Sequence, residues 1–420
     1  MDAGKQLAPA RLARDVQQRN VLFIILDGVV IGLMSAGGTF ISVFVIRLGA
    51  SPFWVSLLSS VPSAIALIMV MPWSQFAARQ TRLQQVFAWS RFAVHLAYLV
   101  VLLLPFFLQG EAAARAIIIA WALSAFPRSL FGIFFTLVMG HAVPPERRAF
   151  LMSRRWTALG VAQLIAVPLA SQIIARVSFP LGYQIVYGLT FVFSLGALYC
   201  GLHIRLAERV RRPAPAQRVS WPARIRQGVS DLVQAKDFTR FMTGKALFNL
   251  GLALVSAILP IYWVQHLDAS DDWVGYFSAA LSGATLISYM PWVWLKRKLG
   301  SKWTLVLSVM GSALYPALTA LARTPAAVLP MVIINGLVGG GLNLAFFDTL
   351  LDTCPPDKEE QFVAFNMTVV NLMGMIGPPL GAALLGVIDI RWVLVMGTVV
   401  ALGGAVTFAL PFRSRPRAAG

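Results

Sequence analysis

The sequence predicts an all-α membrane protein: twelve transmembrane helices arranged as two parallel six-helix halves. Three observations carry that prediction. Of the 420 residues, 58% are hydrophobic and only 12% charged, and the mean hydropathy is +0.73. An ordinary soluble domain carries about 25% charged residues, so a water-soluble enzyme or nucleic-acid binder is excluded. Apolar runs of about 20 residues recur from end to end, each long enough to cross about 30 Å of hydrocarbon. The two halves also repeat each other at a nearly constant offset, as the residues below show.

Taken in order, the predicted spans are 20–46, 53–77, 84–108, 114–139, 155–176 and 182–204. A second set follows at 238–264, 273–295, 302–322, 326–351, 362–386 and 391–411. Several contain proline (Pro62, Pro127, Pro168, Pro260, Pro316, Pro378), which a membrane helix accepts when neighbours satisfy the freed carbonyl. The stretch 205–237 is polar and rich in Arg, Pro and Gln. It reads as a cytoplasmic linker, with a short amphipathic helix near Trp221–Val233, between a six-helix bundle at 1–204 and another at 238–420.

Orientation follows from charge. With the N-terminus inside, cytoplasmic segments hold 27 of the 35 Lys and Arg and outer loops only Arg47, Arg115, Arg176, Arg323 and Arg391. That asymmetry predicts cytoplasmic termini and a plasma (inner) membrane protein. The net charge of +18 is then a topology signal with an attraction to anionic lipid, and no nucleic-acid partner is expected. The first 20 residues hold Lys5, Arg11, Arg14 and Arg19 without an apolar core, so no cleavable leader is expected. Cys200 and Cys354 fall on the cytoplasmic side, where thiols stay reduced.

The repeat is explicit. Gly49–Ser60 reads GASPFWVSLLSS and Asp268–Ala279 reads DASDDWVGYFSA, sharing Ala, Ser, Trp, Val and Ser at an offset of 219. The MPW at Met71–Trp73 recurs at Met290–Trp292 with that same offset. Pro144-Pro145 and Pro355-Pro356 each close a span, and Pro168 aligns with Pro378. Matched punctuation in the same order makes the halves duplicates related by an axis along the membrane normal.

Six plus six helices around a basic linker resemble the major facilitator superfamily over essentially the whole chain. The family signature between its second and third helices is echoed by SQFAARQTRL at Ser74–Leu83. Arg79 and Arg82 match there, while Ala78 stands where the family has aspartate and Ser74 and Thr81 where it has glycine. The second-half echo, KRKLGSK at Lys296–Lys302, keeps Lys298 and Gly300. These four residues are the expected gating-loop positions. Arg128 with Gly132 fits the family's fourth helix, and GPPLGAALLG at Gly377–Gly386 its eleventh. The resemblance implies a transporter working by alternating access, with helices 1, 4, 7 and 10 lining a central cavity.

Four charges fall on those helices: Asp27, Arg128, Lys245 and Asp348. A charge at membrane depth costs about 2.5–3.5 kcal/mol even on lenient insertion scales, so each requires a partner or water. At 1.5 Å per residue, Asp27 lies roughly 10 Å inside the inner face and Arg128 about 16 Å. The expected partnerships are Asp27 with Arg128 or Lys245, and Asp348 with Lys245. Either a static salt bridge or proton coupling through Asp27 is open at this point, and Asp348 also reads as a cap at an inner helix end. Arg91 is read as snorkelling to the inner interface, with His95 one turn along the same face.

Phe131, Phe134 and Phe135 could line an apolar pocket or face lipid. Asn343, Asn366 and Asn371 offer neutral hydrogen-bonding groups, and Trp54, Trp73, Trp273, Trp292 and Trp392 read as interfacial belt residues. No HExxH, GxSxG, acidic metal cluster or nucleotide-binding loop occurs, so neither an enzyme nor a cofactor is expected. The partners are a small-molecule substrate and the bilayer, for a monomer. Proton-coupled export of an amphipathic or drug-like compound is the first functional expectation. Uptake of an anionic solute on Arg128 and Lys245, or a non-transporting receptor, is the alternative.

Overall fold

The computed structural model describes residues 3–143, 145–205, 236–354 and 359–410, and every regular element among them is a helix. The first half holds α1 (Ala3–Arg47), α2 (Pro52–Arg79), α3 (Leu83–Phe107), α4 (Gly110–Leu123), α5 (Ala125–Ala142), α6 (Pro145–Arg176) and α7 (Leu181–His203). The second holds α8 (Lys236–Ser256) and the single turn α9 (Ile258–Ile261), which runs on into a π-helical turn (Tyr262–His266). Then come α10 (Asp271–Ala320), α11 (Pro325–Thr353), α12 (Glu359–Leu384) and α13 (Ile390–Ala409). The predicted linker and its short helix fall outside the described residues, apart from the linker's ends, as do Pro144, Pro355 and Pro356.

Eleven of the described stretches are long and apolar enough to cross a membrane, which makes this a multi-pass membrane protein. One of them, α10, has 50 residues, about 75 Å at 1.5 Å per residue and twice what a bilayer requires. Its resolution lies at Gly300, where φ is 77° and ψ 167°, a conformation that favours glycine. Divided there, α10 supplies the two spans that the sequence predicts at 273–295 and 302–322.

Two other spans break four residues ahead of a proline. A proline at position i lacks the N–H for the carbonyl of residue i−4 and its ring crowds that carbonyl. Pro127 accordingly ends α4 at Leu123, and Pro260 ends α8 at Ser256. The first break places Ser124, and one turn later Arg128, at a point where the helix is interrupted.

The chain forms two compact units. One contains α1, α3–α7 and the part of α2 from Ile68 onward; the other contains α8–α13 and the part of α2 up to Leu67. Within the first, α1 packs on α6 and α7, and α3 on α5 and α7; within the second, α8 packs on α12 and α13, and α10 on α11 and α13. The neighbour pattern thus repeats with the sequence. Close approach depends on paired glycines four residues apart. A Cβ on Gly28 would lie 2.5 Å from the Arg155 carbonyl of α6, and one on Gly32 would run into the carbonyl of Leu159. In the second unit the pair sits on the opposite partner, Gly377 and Gly381 of α12 meeting Ala253 and Leu254 of α8.

The repeated tryptophans correct an expectation. Rather than serving only as interfacial belt residues, Trp73 donates its indole N–H to Ser129 Oγ at 3.0 Å and Trp292 donates to the Leu337 carbonyl at 2.6 Å. Each ties the second span of its half to the fourth.

Asn20 is a staple at one end of the first unit. Its amide donates to the carbonyls of Ala142 and Arg205 at 2.9 and 2.8 Å and accepts from the Arg205 N–H at 2.9 Å. Replacing it by alanine leaves buried backbone groups unpaired, a penalty of about 1–3 kcal/mol. Asn20→Ala should therefore show a lower thermal midpoint in detergent, and an unchanged midpoint would mean that water satisfies those groups.

Candidate functional site

Asp27 interrupts an apolar stretch of α1 and is completely buried, 0% exposed. The Gly28 contact beside it brings α1 onto the backbone of α6 at Arg155, so the carboxylate meets the side chain that starts there. Arg155 donates from Nε and Nη2 to Asp27 Oδ2 at 3.1 and 3.0 Å. From α3, Arg91 donates through Nη1 to Oδ1. Arg91 and Arg155 are only 1% and 4% exposed.

Aromatic rings complete this enclosure. The Arg91 guanidinium lies 5.5 Å from the Phe131 ring centre and 5.9 Å from that of Phe87. Arg155 lies 4.8 Å from Phe135 and 5.3 Å from Trp156. Ring faces are electronegative and favour cations once water is removed. One carboxylate against two guanidiniums leaves the cluster with a surplus positive charge, and Nε and Nη2 of Arg91 find no hydrogen-bond acceptor among the described residues.

The expected pairing of Asp27 with Arg128 is thereby corrected, as is the snorkelling of Arg91. Arg128 sits beyond the Pro127 break, with its guanidinium 4.9 Å from the ring of Trp121 and Nη2 donating to Ser124 Oγ at 3.4 Å. It has no carboxylate within ion-pair distance among the described residues and is accessible at the surface. Between the two arginines run His95 and Tyr98 of α3, their rings 5.9 Å apart, with Tyr98 edge-on to Trp121 at 5.8 Å.

In the second unit Asp348 pairs with Lys296 of α10, not with Lys245. Lys245 rests on aromatic faces instead, 4.7 Å from Phe346 and 5.7 Å from Phe241. It too lacks a carboxylate within ion-pair distance among the described residues. No group of three or more His, Cys, Asp or Glu among the described residues could hold a metal ion, and Cys200 and Cys354 are both free thiols.

The Major Facilitator Superfamily model matches residues 241–420. Solved structures of similar fold include a bacterial homologue of the iron transporter ferroportin in its inward-facing state (16% identity, 94% of this chain and 98% of that one, TM-score 0.68). A peptide transporter POT in complex with sulfate is 14% identical over 93% of each chain, at TM-score 0.67. A bacterial homologue of the human lysosomal transporter Spinster is 12% identical over 94% of this chain and 96% of that one, at TM-score 0.64. The chain thus shares the fold of transporters of the major facilitator type, and its second half matches that superfamily's model. No curated protein matches it by sequence.

The remaining expected site residues lie as follows. Phe131 and Phe135 pack 5.9 Å apart and face the two buried arginines. Asn343 donates to the Tyr289 hydroxyl at 3.2 Å, whereas Asn371 donates to the Met367 carbonyl of its own helix at 2.9 Å. Arg79 and Arg82 flank the exposed turn between α2 and α3, and Lys298 lies on the Trp294 ring, two residues before Gly300.

Two residues of the Asp27 cluster escape a reading from sequence. Arg155 counts there as a loop charge, because the predicted span begins at 155. A usable signal exists in Pro145-Glu146, since proline at the first helical position and an acid in the first turn mark a start ten residues earlier.

Proposed function

We propose that this protein is a secondary transporter of a small amphipathic anion, moved by alternating access, with Arg128 in the first unit and Lys245 in the second each offering a counter-charge to a carboxylate or phosphate. The observation that carries this reading is the division of labour among the membrane-embedded charges. Both acids on the helices expected to line the cavity, Asp27 and Asp348, are engaged by cations. Arg128 and Lys245 lie against aromatic rings, with no carboxylate in ion-pair distance among the described residues. An accessible cation on an aromatic face suits a solute with an anionic head and an apolar or aromatic body. The surplus charge at Asp27, Arg91 and Arg155 adds a positive potential of the same sign.

Proton-coupled export through Asp27 loses its motivating feature, because that expectation required a carboxylate free to change partners. The positive-inside asymmetry supports both termini on the cytoplasmic side of the inner membrane.

The test is uptake into proteoliposomes of a panel of carboxylates, phosphorylated solutes and lipophilic cations. Wild type should move a member of the anionic set. Losing a charge-assisted contact of about 1.5–3 kcal/mol should lower transport by Arg128→Met or Lys245→Met about 10- to 100-fold, with the variants still monodisperse. Transport of the lipophilic cations, undiminished in both variants, would overturn the assignment.

A further inference from the structure

The turn inside α10 has the make-up of a lipid site, independently of what the protein transports. Its sequence from Trp294 to Trp303 is WLKRKLGSKW. Lys296 is taken by Asp348, and Arg297, Lys298 and Lys302 complete a cationic turn around Gly300. Two of these lie on tryptophan rings: Lys298 Nζ is 3.9 Å from the centre of Trp294, and Lys302 Nζ is 5.8 Å from that of Trp303. Those indoles are 57% and 52% exposed, although tryptophan supplies a large apolar surface that a soluble fold would bury.

On both sides of the turn the exposure continues as apolar stripes. Ile287, Met290 and Trp294, three and then four residues apart, share one helical face before the turn. Trp303, Leu307, Met310 and Leu314, at spacings of four, three and four, share one after it. These stripes run for about 10 and 16 Å at 1.5 Å per residue, comparable to one leaflet of a bilayer about 30 Å thick.

We infer that this turn binds an anionic phospholipid, with the phosphate held by Arg297 and Lys298, the glycerol region at Trp294 and Trp303, and the acyl chains along the two stripes. Apolar length selects a lipid over a soluble phosphate, and the cations select an anionic over a zwitterionic headgroup. A protein partner has no comparable requirement for stripes of leaflet length.

The experiment is hydrogen exchange read by mass spectrometry on the full chain in nanodiscs, following the amides of residues 294–303. Exchange should be several-fold slower in phosphatidylglycerol than in phosphatidylcholine. Raising the salt to about 1 M should erase most of the difference, since charge interactions are then screened within about 3 Å. Arg297→Gln with Lys298→Gln should also erase it, because the attraction to an anionic surface goes with those basic charges. Both are exposed side chains, so the fold should survive. The salt series on wild type tests the same point without any substitution. Equal exchange in the two lipids, or protection unmoved by salt and by the double substitution, overturns the proposal. So does equal protection by millimolar glycerol phosphate in phosphatidylcholine discs, because the acyl chains would then be dispensable.

Discussion

Replacing Asp27 by alanine should deprive the first helical unit of its fold. The carboxylate is the shared counter-charge of two guanidiniums that are nearly inaccessible to solvent. Removing one partner of a buried ion pair typically costs about 3–5 kcal/mol, because the partner left behind stays charged and buried. Here two arginines would be left, on α3 and α6, pressing the same aromatic shell. Asp27→Asn keeps the shape and removes the charge, so it should be nearly as damaging. The expected result for both is a strongly reduced monodisperse peak in size exclusion and a collapse of the thermal midpoint. A structural role makes a second demand. Replacing all three members together, Asp27→Leu with Arg91→Met and Arg155→Met, should recover much of the folding, since well-packed apolar side chains often match a buried ionic cluster. A proton-carrying Asp27 predicts the reverse: Asp27→Asn would fold normally, resembling a protonated carboxyl, and would alter only the pH dependence of transport. That outcome would restore the coupling role and weaken the anion reading with it.

Why the cluster's acid is legible in sequence while its partners are not has a physical cause. An aspartate inside VLFIILDGVV is conspicuous, because a mid-membrane charge is expensive wherever it points. Its partners depend on which helices touch, and that is set by small residues a turn apart and by helix starts. Arg155 is a loop charge if its helix begins at 155, and an interior residue if it begins at Pro145, as it does. Arg91 is long enough either to snorkel to the interface or to reach inward; Phe87 and Phe131 decide for the second. The same holds for Trp73 and Trp292, whose repeat is visible as text but whose indole bonds require the neighbouring helix. The all-helical, many-span character, by contrast, is accessible from hydropathy alone. Its one irregularity, the uninterrupted α10, is resolved by a glycine that the sequence already marks beside a run of bases.

The glycine pairs should be the least tolerant positions outside the charge cluster, and even alanine should be too large. At Gly381 a Cβ would run into the Leu254 carbonyl, and at Gly32 into that of Leu159. Both obstacles are backbone, which cannot rotate away as a side chain can, so the helices must separate. Forcing extra carbon into a packed contact typically costs about 1–3 kcal/mol and sometimes more. Separation of α1 from α6 also pulls Arg155 off Asp27. Gly32→Ala should therefore lose a share of the ion-pair stabilisation besides the packing, and fall further than Gly381→Ala. Gly38→Ala is the matched control: it lies on the same helix α1 with nothing within 4 Å of its added carbon. There alanine should be neutral or stabilising by up to about 1 kcal/mol, the difference in helix propensity. Thermal midpoints of the three variants in one detergent decide the matter. If Gly32→Ala and Gly38→Ala melt together, the α1–α6 contact is looser than the geometry requires, and the positioning of Arg155 must come from the aromatic shell. If Gly32 falls well below Gly381, backbone contact and ion pairing act as one unit.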